Sequence, residues 1–377
     1  MGLTTPFEQL YRRFGAEFDE YAGWSLPKQF EGVEKENSAL YRNAAAFDLS
    51  SFGRVKISGS ASGKLIDILF ATDTSSLQRG RWMWGLICRE DGNLVDIARL
   101  ADLGEYFLLF CSPPRRAELF KLAAKCASDR DFKNVAIEDI TEQTGMIGIY
   151  GPASADTVDQ IVPFDIASMG RNTVKKVSLL MFSATVIHGS FLGLDGVEIF
   201  GGAKTCKLAS GAIEKYIRPE QIIPAGMDCL ELALVEASAP FGVVGRCPSH
   251  EIPYTAVLSN LVDFNKEFIG KKLIQQSDLA GSGQRLIGIK ALQFQPDPEH
   301  AKIQYKGGKI GRCDKLMYSE RFAGYIGLGY VGEKFASLDE DVQLVTQAGI
   351  FDARLIALPF DSDIAVSFYN QQSIKQK

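Results

Sequence analysis

The sequence predicts an α+β protein with largely antiparallel sheets and a small all-β domain at its C-terminal end. Three observations carry this reading. Alternating apolar runs and helical runs follow one another in strand–helix–strand–strand order. Asp91-Gly92 and Asp195-Gly196 each stand between such apolar runs, which is a hairpin signal. Beyond the small, polar segment LAGSGQ (Leu279–Gln284) the chain becomes strand-rich, with Gly-rich turns and little helix, as in a small barrel or sandwich.

The elements follow in order. Thr5–Phe14 and Glu31–Asn43 read as helices on either side of a turn at Gly23-Trp24-x-x-Pro27. The second helix carries Glu34, Glu36, Tyr41 and Arg42 and leads to a strand beginning at Phe47-Asp48. RVKISG, from Arg54, alternates as a strand does, and Ala61–Phe70 reads as an amphipathic helix. Trp82–Cys88, Leu94–Leu100 and Tyr106–Phe110 read as strands, the first two joined through Glu90-Asp91-Gly92-Asn93. Pro114–Lys125 reads as a helix with two prolines at its start, because proline is tolerated in the first turn.

A new segment starts near Val135, with a strand at Met146–Tyr150, a short helix at Ser154–Ile161 and a mostly apolar stretch at Val177–Ile187. Val197–Phe200 follows as a strand and Ser210–Tyr216 as a helix. Past the linker, RLIGIKAL, KIQYKGGKIG, GYIGLGYVG, VQLVTQAG and FDARLIALPF supply the strands of the last domain.

A chain of 377 residues suggests two or three domains. Its 46% hydrophobic and 23% charged residues are ordinary for a globular protein with a substantial core. A net charge of −5 argues against a nucleic-acid surface. The first residues lack an apolar signal core, and no apolar run is long enough to cross a bilayer, so no membrane partner is expected. The seven cysteines are scattered without a C-x-x-C pair, which suits reduced thiols in a cytoplasmic protein. Three histidines, at 188, 250 and 300, make His-based metal or Ser-His-Asp catalysis poor expectations.

The run from Tyr21 to Gly53, with its Gly-Trp-x-x-Pro and Phe47-Asp48-x-Ser50 elements, resembles the glycine-cleavage aminomethyltransferase family. So do Phe264–Ile274, Tyr325–Val331 and Arg354–Phe360, and the resemblance extends from about Thr5 to Phe360. It implies a three-domain aminomethyltransferase-like fold whose last domain is a β-barrel. The expected division is 1–51 with 135–241, 52–134 with 242–278, and 285–369. It also implies tetrahydrofolate as the cofactor.

The family's Gly-Gly-x-x-Asp segment corresponds to Gly92–Asp96, which implies Asp96 as the catalytic carboxylate. On the residues alone, Asp96 could equally be a strand-end carboxylate facing water. Phe191–Glu198 corresponds to Tyr-Thr-Gly-Glu-Asp-Gly-x-Glu, which implies Glu198 as the pterin ligand. A carboxylate can accept two adjacent N–H donors of a pterin edge as a charge-assisted pair. A Glu on a solvated strand face is the plain alternative. Trp84, Phe52 and Phe191 take the places of residues lining the same pocket, and ordinary core packing is their plain alternative.

Several family features are replaced. Met227 stands where an Arg pairs with the folate tail, and Arg246 is a candidate substitute cation. Cys111 stands where an Asn orients the folate, Phe191 replaces a pocket Tyr, and Ser51-Phe52 replaces His-Met. The resulting expectation is a tetrahydrofolate-dependent one-carbon transferase, a divergent member in which a methyl or aminomethyl-derived group leaves a small donor. An authentic glycine-cleavage aminomethyltransferase served by a carrier protein, and a non-catalytic folate-binding protein of the same fold, are the alternatives. The iron–sulfur assembly relatives of this fold carry a Cys motif that Phe264–Ile274 lacks.

Overall fold

The computed structural model describes residues 2–160, 165–179, 182–190, 192–216, 221–239, 261–279, 283–294, 301–337 and 341–364. The chain divides into two compact units. The first comprises residues 1–66, 75–84 and 98–231, and the second 67–74, 85–97 and 232–377.

In the first unit β1 (Leu3–Thr4) precedes α1 (Glu8–Arg13), and β2 (Glu17–Tyr21) pairs antiparallel with β3 (Trp24–Gln29). Here the expected turn at Gly-Trp-x-x-Pro proves to be strand: Trp24 and Pro27 both lie in β3. The turn begins one residue earlier, at Ala22 (φ 51°) and Gly23 (φ 82°), which together make the double positive-φ corner of a tight hairpin. The helix α2 (Val33–Arg42) follows, then β4 (Ala45–Asp48). The strand expected to begin at Phe47-Asp48 in fact ends there.

Asp48 closes β4 by accepting the Ser50 N–H at 2.9 Å and the Thr5 hydroxyl at 2.6 Å. The Phe-Asp-x-Ser element is therefore a strand-ending turn that also fastens the N-terminal segment. Arg54, at the start of β5 (Gly53–Ser58), is wholly buried. Its guanidinium donates to the carbonyls of Phe52 (2.6 Å), Ser50 (3.1 Å), Thr141 (2.8 Å) and Thr144 (3.1 Å). Burial pulls it down to about 10, with the nearby Asp48 carboxylate working against that fall.

After α3 (Ser62–Leu69) come β6 (Trp82–Cys88), β7 (Leu94–Asp102) and β8 (Tyr106–Cys111). A 3₁₀ turn at Pro113–Arg115 absorbs the two prolines and α4 (Arg116–Asp129) starts behind it. With β9 (Ala136–Asp139) these strands form a sheet in the order β6-β7-β8-β5-β9.

The sheet that carries the site comes next in sequence. It uses β10 (Gly145–Tyr150), then, beyond α5 (Ser154–Asp159), β11 (Thr173–Leu179), β12 (Phe182–His188) and β13 (Gly196–Gly201). The apolar stretch at Val177–Ile187 thus falls in two strands, β11 and β12, that pair antiparallel. The helix α6 (Ala203–Tyr216) is longer than its expected Ser210–Tyr216. Adding β14 (Ile223–Pro224) gives the order β11-β12-β13-β10-β4-β14. Phe7, Leu10, Tyr11, Ile147, Ile149, Val186 and Val197 pack into one core against this sheet.

The segment that ends in Met227 is held by Glu36, whose buried carboxylate accepts N–H groups of Phe30 (2.6 Å) and Gly226 (2.9 Å). From there α7 (Met227–Glu236) begins, and Met227 is 8% exposed.

In the second unit α8 (Lys271–Leu279) leads to the C-terminal strands β15 (Gln284–Ala291), β16 (Ala301–Tyr305), β17 (Gly308–Ser319), β18 (Gly324–Gly332), β19 (Asp341–Val345) and β20 (Ile350–Ile356). They close a barrel in the order β15-β18-β17-β16-β19-β20, so the barrel is realised and the sandwich is not. Ile287, Ile289, Ile303, Val331, Val342 and Leu344 fill it, in keeping with inward–outward alternation along each strand. Among the described residues no helix is long and apolar enough to cross a membrane.

Candidate functional site

Glu198 sits in mid-β13, opposite Gly148 of β10 and Ile187 of β12. It is 0% exposed, so the solvated-face alternative does not apply. A buried carboxylate needs partners, and two residues supply them. Arg99 Nη1 donates to Oε1 at 2.8 Å and Nη2 to Oε2 at 2.6 Å, a bidentate fork. The Tyr150 hydroxyl donates to Oε1 at 2.8 Å. Burial and the neighbouring Glu198 charge hold Tyr150 well above the usual phenol range, with Arg99 pulling the other way, so the hydroxyl remains a donor.

The backbone explains how Tyr150 reaches. It lies two residues beyond Gly148 on the same face of β10, and its register partner on β13 is Gly196. A Cβ at position 148 would stand 2.6 Å from the Tyr150 hydroxyl oxygen, and one at position 196 would run into its ring. The two glycines make a slot that lets the phenol lie flat across the strands.

Arg99 comes from β7, directly opposite Phe110 of β8. Its guanidinium lies over three rings, 5.0 Å from the centroid of Phe110, 5.3 Å from Trp82 and 5.8 Å from Trp84. Trp82 and Trp84 meet edge to face at 5.8 Å, and Phe110 meets Phe200 of β13 at the same distance and in the same manner. Such cation–ring contacts are worth about 0.5–2 kcal/mol each, more when dry. Trp82 is anchored by its indole N–H to the His188 carbonyl at 3.2 Å. Trp82 also lines a cleft of about 310 Å³ together with Gln78, Arg81, Arg171 and Asn172. A larger cleft, of about 660 Å³, lies on the barrel, with Lys290, Leu292, Ile350 and Arg354 among its walls.

The remaining expected residues fall as follows. Trp84 joins the Arg99 cluster. Cys111 is buried at the end of β8, across from Gly53. Phe52 is part-buried, and Arg54 holds its carbonyl. Asp96 lies in the second unit on β7, fully buried between Val95 and Ile97, with Oδ1 accepting the Ile97 N–H at 2.9 Å. The water-facing reading of Asp96 does not apply either. Phe191 and Arg246 lie outside the described residues.

Sequence reasoning missed Arg99 and Tyr150. The signal for Arg99 is a single cation inside LVDIARLA, a run that is otherwise apolar apart from Asp96. For Tyr150 it is the Gly148-x-Tyr150 spacing, with Gly196 facing it.

A family model described as the GCVT N-terminal domain matches residues 7–266, well over half of the chain. An aminomethyltransferase of Geobacillus kaustophilus is 26% identical over 363 residues, spanning 94% of this chain and 98% of the relative. One of Listeria welshimeri is 24% identical over 365 residues, spanning 95% and 98%. The crystal structure of glycine cleavage system aminomethyltransferase T from Bartonella henselae superposes with a TM-score of 0.83 at 20% identity, covering 96% of this chain and 99% of that one. At that identity the likeness shows the fold, in agreement with the expected α+β architecture and its barrel.

Proposed function

The chain belongs to the GCVT family, and from that membership we propose that it transfers a one-carbon unit between a small donor and tetrahydrofolate. Membership bears out the expected family and, with it, an enzyme of the transferase class that works with tetrahydrofolate. The observation that carries the proposal is the match over residues 7–266, which takes in both Asp96 and Glu198.

In this reading Asp96 is the carboxylate that acts at the reacting edge. A carboxylate in dry surroundings stabilises developing positive charge more strongly than one in water, and its burial on β7 gives it such surroundings. Glu198 belongs to the pterin subsite. Tested on the residues, a carboxylate on a strand can take the paired donors of a flat heterocycle, and the rings of Trp82, Trp84 and Phe110 lie around its partner Arg99. As arranged, however, both Glu198 oxygens already hold Arg99, and the site does not fit a pterin bound bidentately.

Two donors compete. An aminomethyl group brought by a carrier protein would make the chain an authentic aminomethyltransferase. A methyl group on the sulfur or oxygen of a small molecule would make it a demethylating transferase. The buried Met227, in the place the resemblance gives to a folate-tail Arg, favours the second.

Calorimetric titration with tetrahydrofolate and 5-methyltetrahydrofolate tests the reading. Saturable micromolar binding is expected. The absence of heat with either ligand, in the folded protein and in its folded Arg99→Met variant alike, would sink it.

A further inference from the structure

We propose that Arg99 is the specificity-determining residue of the pterin subsite, an internal occupant that takes the place of a pterin edge on Glu198. The inference rests on the folate reading above and deepens it. A pterin presents a ring amide N–H and an exocyclic amine side by side. The Arg99 guanidinium presents the same two parallel donors to the same two oxygens, at 2.8 and 2.6 Å.

Lone-pair arithmetic makes the two exclusive. Each carboxylate oxygen accepts about two hydrogen bonds. Arg99 takes one on each oxygen, and Tyr150 takes a second on Oε1. A bidentate ligand needs one on each, and Oε1 has none left. Any donor pair arriving at Glu198 must therefore move the guanidinium away.

That displacement is costly for a physical reason. The Arg99 and Glu198 side chains are 5% and 0% exposed. Parting a buried ion pair leaves one charge without its partner in a dry setting. Arg99 would also lose its place among Trp82, Trp84 and Phe110. Expressed as affinity, the penalty is roughly a hundredfold or more. The same geometry favours ligands that do not ask Glu198 for two acceptors.

The test is calorimetry with 5-formyltetrahydrofolate, which is stable in air, on the full chain and on Arg99→Met and Arg99→Met/Glu198→Gln. Arg99→Met should bind about a hundredfold tighter than the parent, and the added Glu198→Gln should abolish most of that gain. A gain in affinity is the diagnostic sign, because structural damage alone gives a loss. Micromolar binding by the parent that Arg99→Met leaves unchanged overturns the inference while sparing the folate reading. No binding by either protein, both folded by circular dichroism, overturns the folate reading and the inference with it. If Arg99→Met does not fold, Arg99→Lys keeps the charge and loses the planar fork. About a tenfold tightening is then expected, and none overturns the inference.

Discussion

Tyr150 lies across Gly148, and the absence of a side chain there is what brings its hydroxyl within 2.8 Å of Glu198. A methyl group at position 148 would stand 2.6 Å from that hydroxyl oxygen and 2.7 Å from Leu49 Cδ1. Gly148→Ala should therefore cost about 1–3 kcal/mol, the range for overpacking a filled core. Urea denaturation measures it. A variant as stable as the parent would mean that the phenol is free to shift.

Breaking the Arg99–Glu198 pair from one side should cost more than removing it whole. Glu198→Ala leaves a buried cation and should destabilise by about 3–5 kcal/mol. Arg99→Met/Glu198→Leu removes both charges and should lie closer to the parent than Glu198→Ala does. Losses that simply add in the double variant would contradict a directly coupled pair.

Asp48 gives a pH dependence. Burial holds its carboxyl above the ordinary value of 3.8, against the hydrogen bonds from Ser50 and Thr5. The folded chain thus binds this proton at a higher pH than the unfolded chain does. The stability that this contributes is full below about 3.8 and is lost as the pH rises through the folded value. Asp48→Asn removes the titration. Its stability relative to the parent should rise with pH from about 4 upward and then level off. Urea midpoints measured between pH 4 and 7 decide, and a flat difference would rule out the raised value.

The Cys88 thiol is buried, and burial, with the Asp91 charge adding to it, pushes it up to about 12. At pH 8 the thiolate fraction is then about 10⁻⁴, too small for ready alkylation. Iodoacetamide followed by peptide mass spectrometry should leave Cys88 unlabelled in the folded protein and labelled in urea.

Asp96→Asn is expected to keep folate affinity within a few-fold and to lower turnover by two orders of magnitude or more, about 2.7 kcal/mol. Parallel calorimetry and single-turnover assays separate the two effects. Equal losses in binding and rate would argue for a structural Asp96.

Local signals made much of this fold legible. Trp82–Cys88 spans β6 as expected, and the repeated Gly-rich strands announced an all-β end that was legible as a barrel only by resemblance. The β2–β3 hairpin was hidden because its corner is Ala22-Gly23, not one of the Asn-Gly or Asp-Gly pairs that advertise a tight turn. Tryptophan and proline then suggested a turn where a strand runs. At the site, Glu198 was legible by resemblance, but its partner was not. Arg99 and Glu198 are 99 residues apart and belong to different sheets, and no periodicity connects them. A lone Arg in an apolar strand tells that a counter-charge exists without telling where.

The rings around Arg99 give the protein an optical reporter of its own site. Of the three tryptophans, two share this one guanidinium, and only Trp24 stands apart from it. Whatever draws Arg99 off Glu198 also removes a cation from the faces of Trp82 and Trp84. The emission of the unlabelled protein therefore records whether the latch is shut or open while a ligand is being titrated.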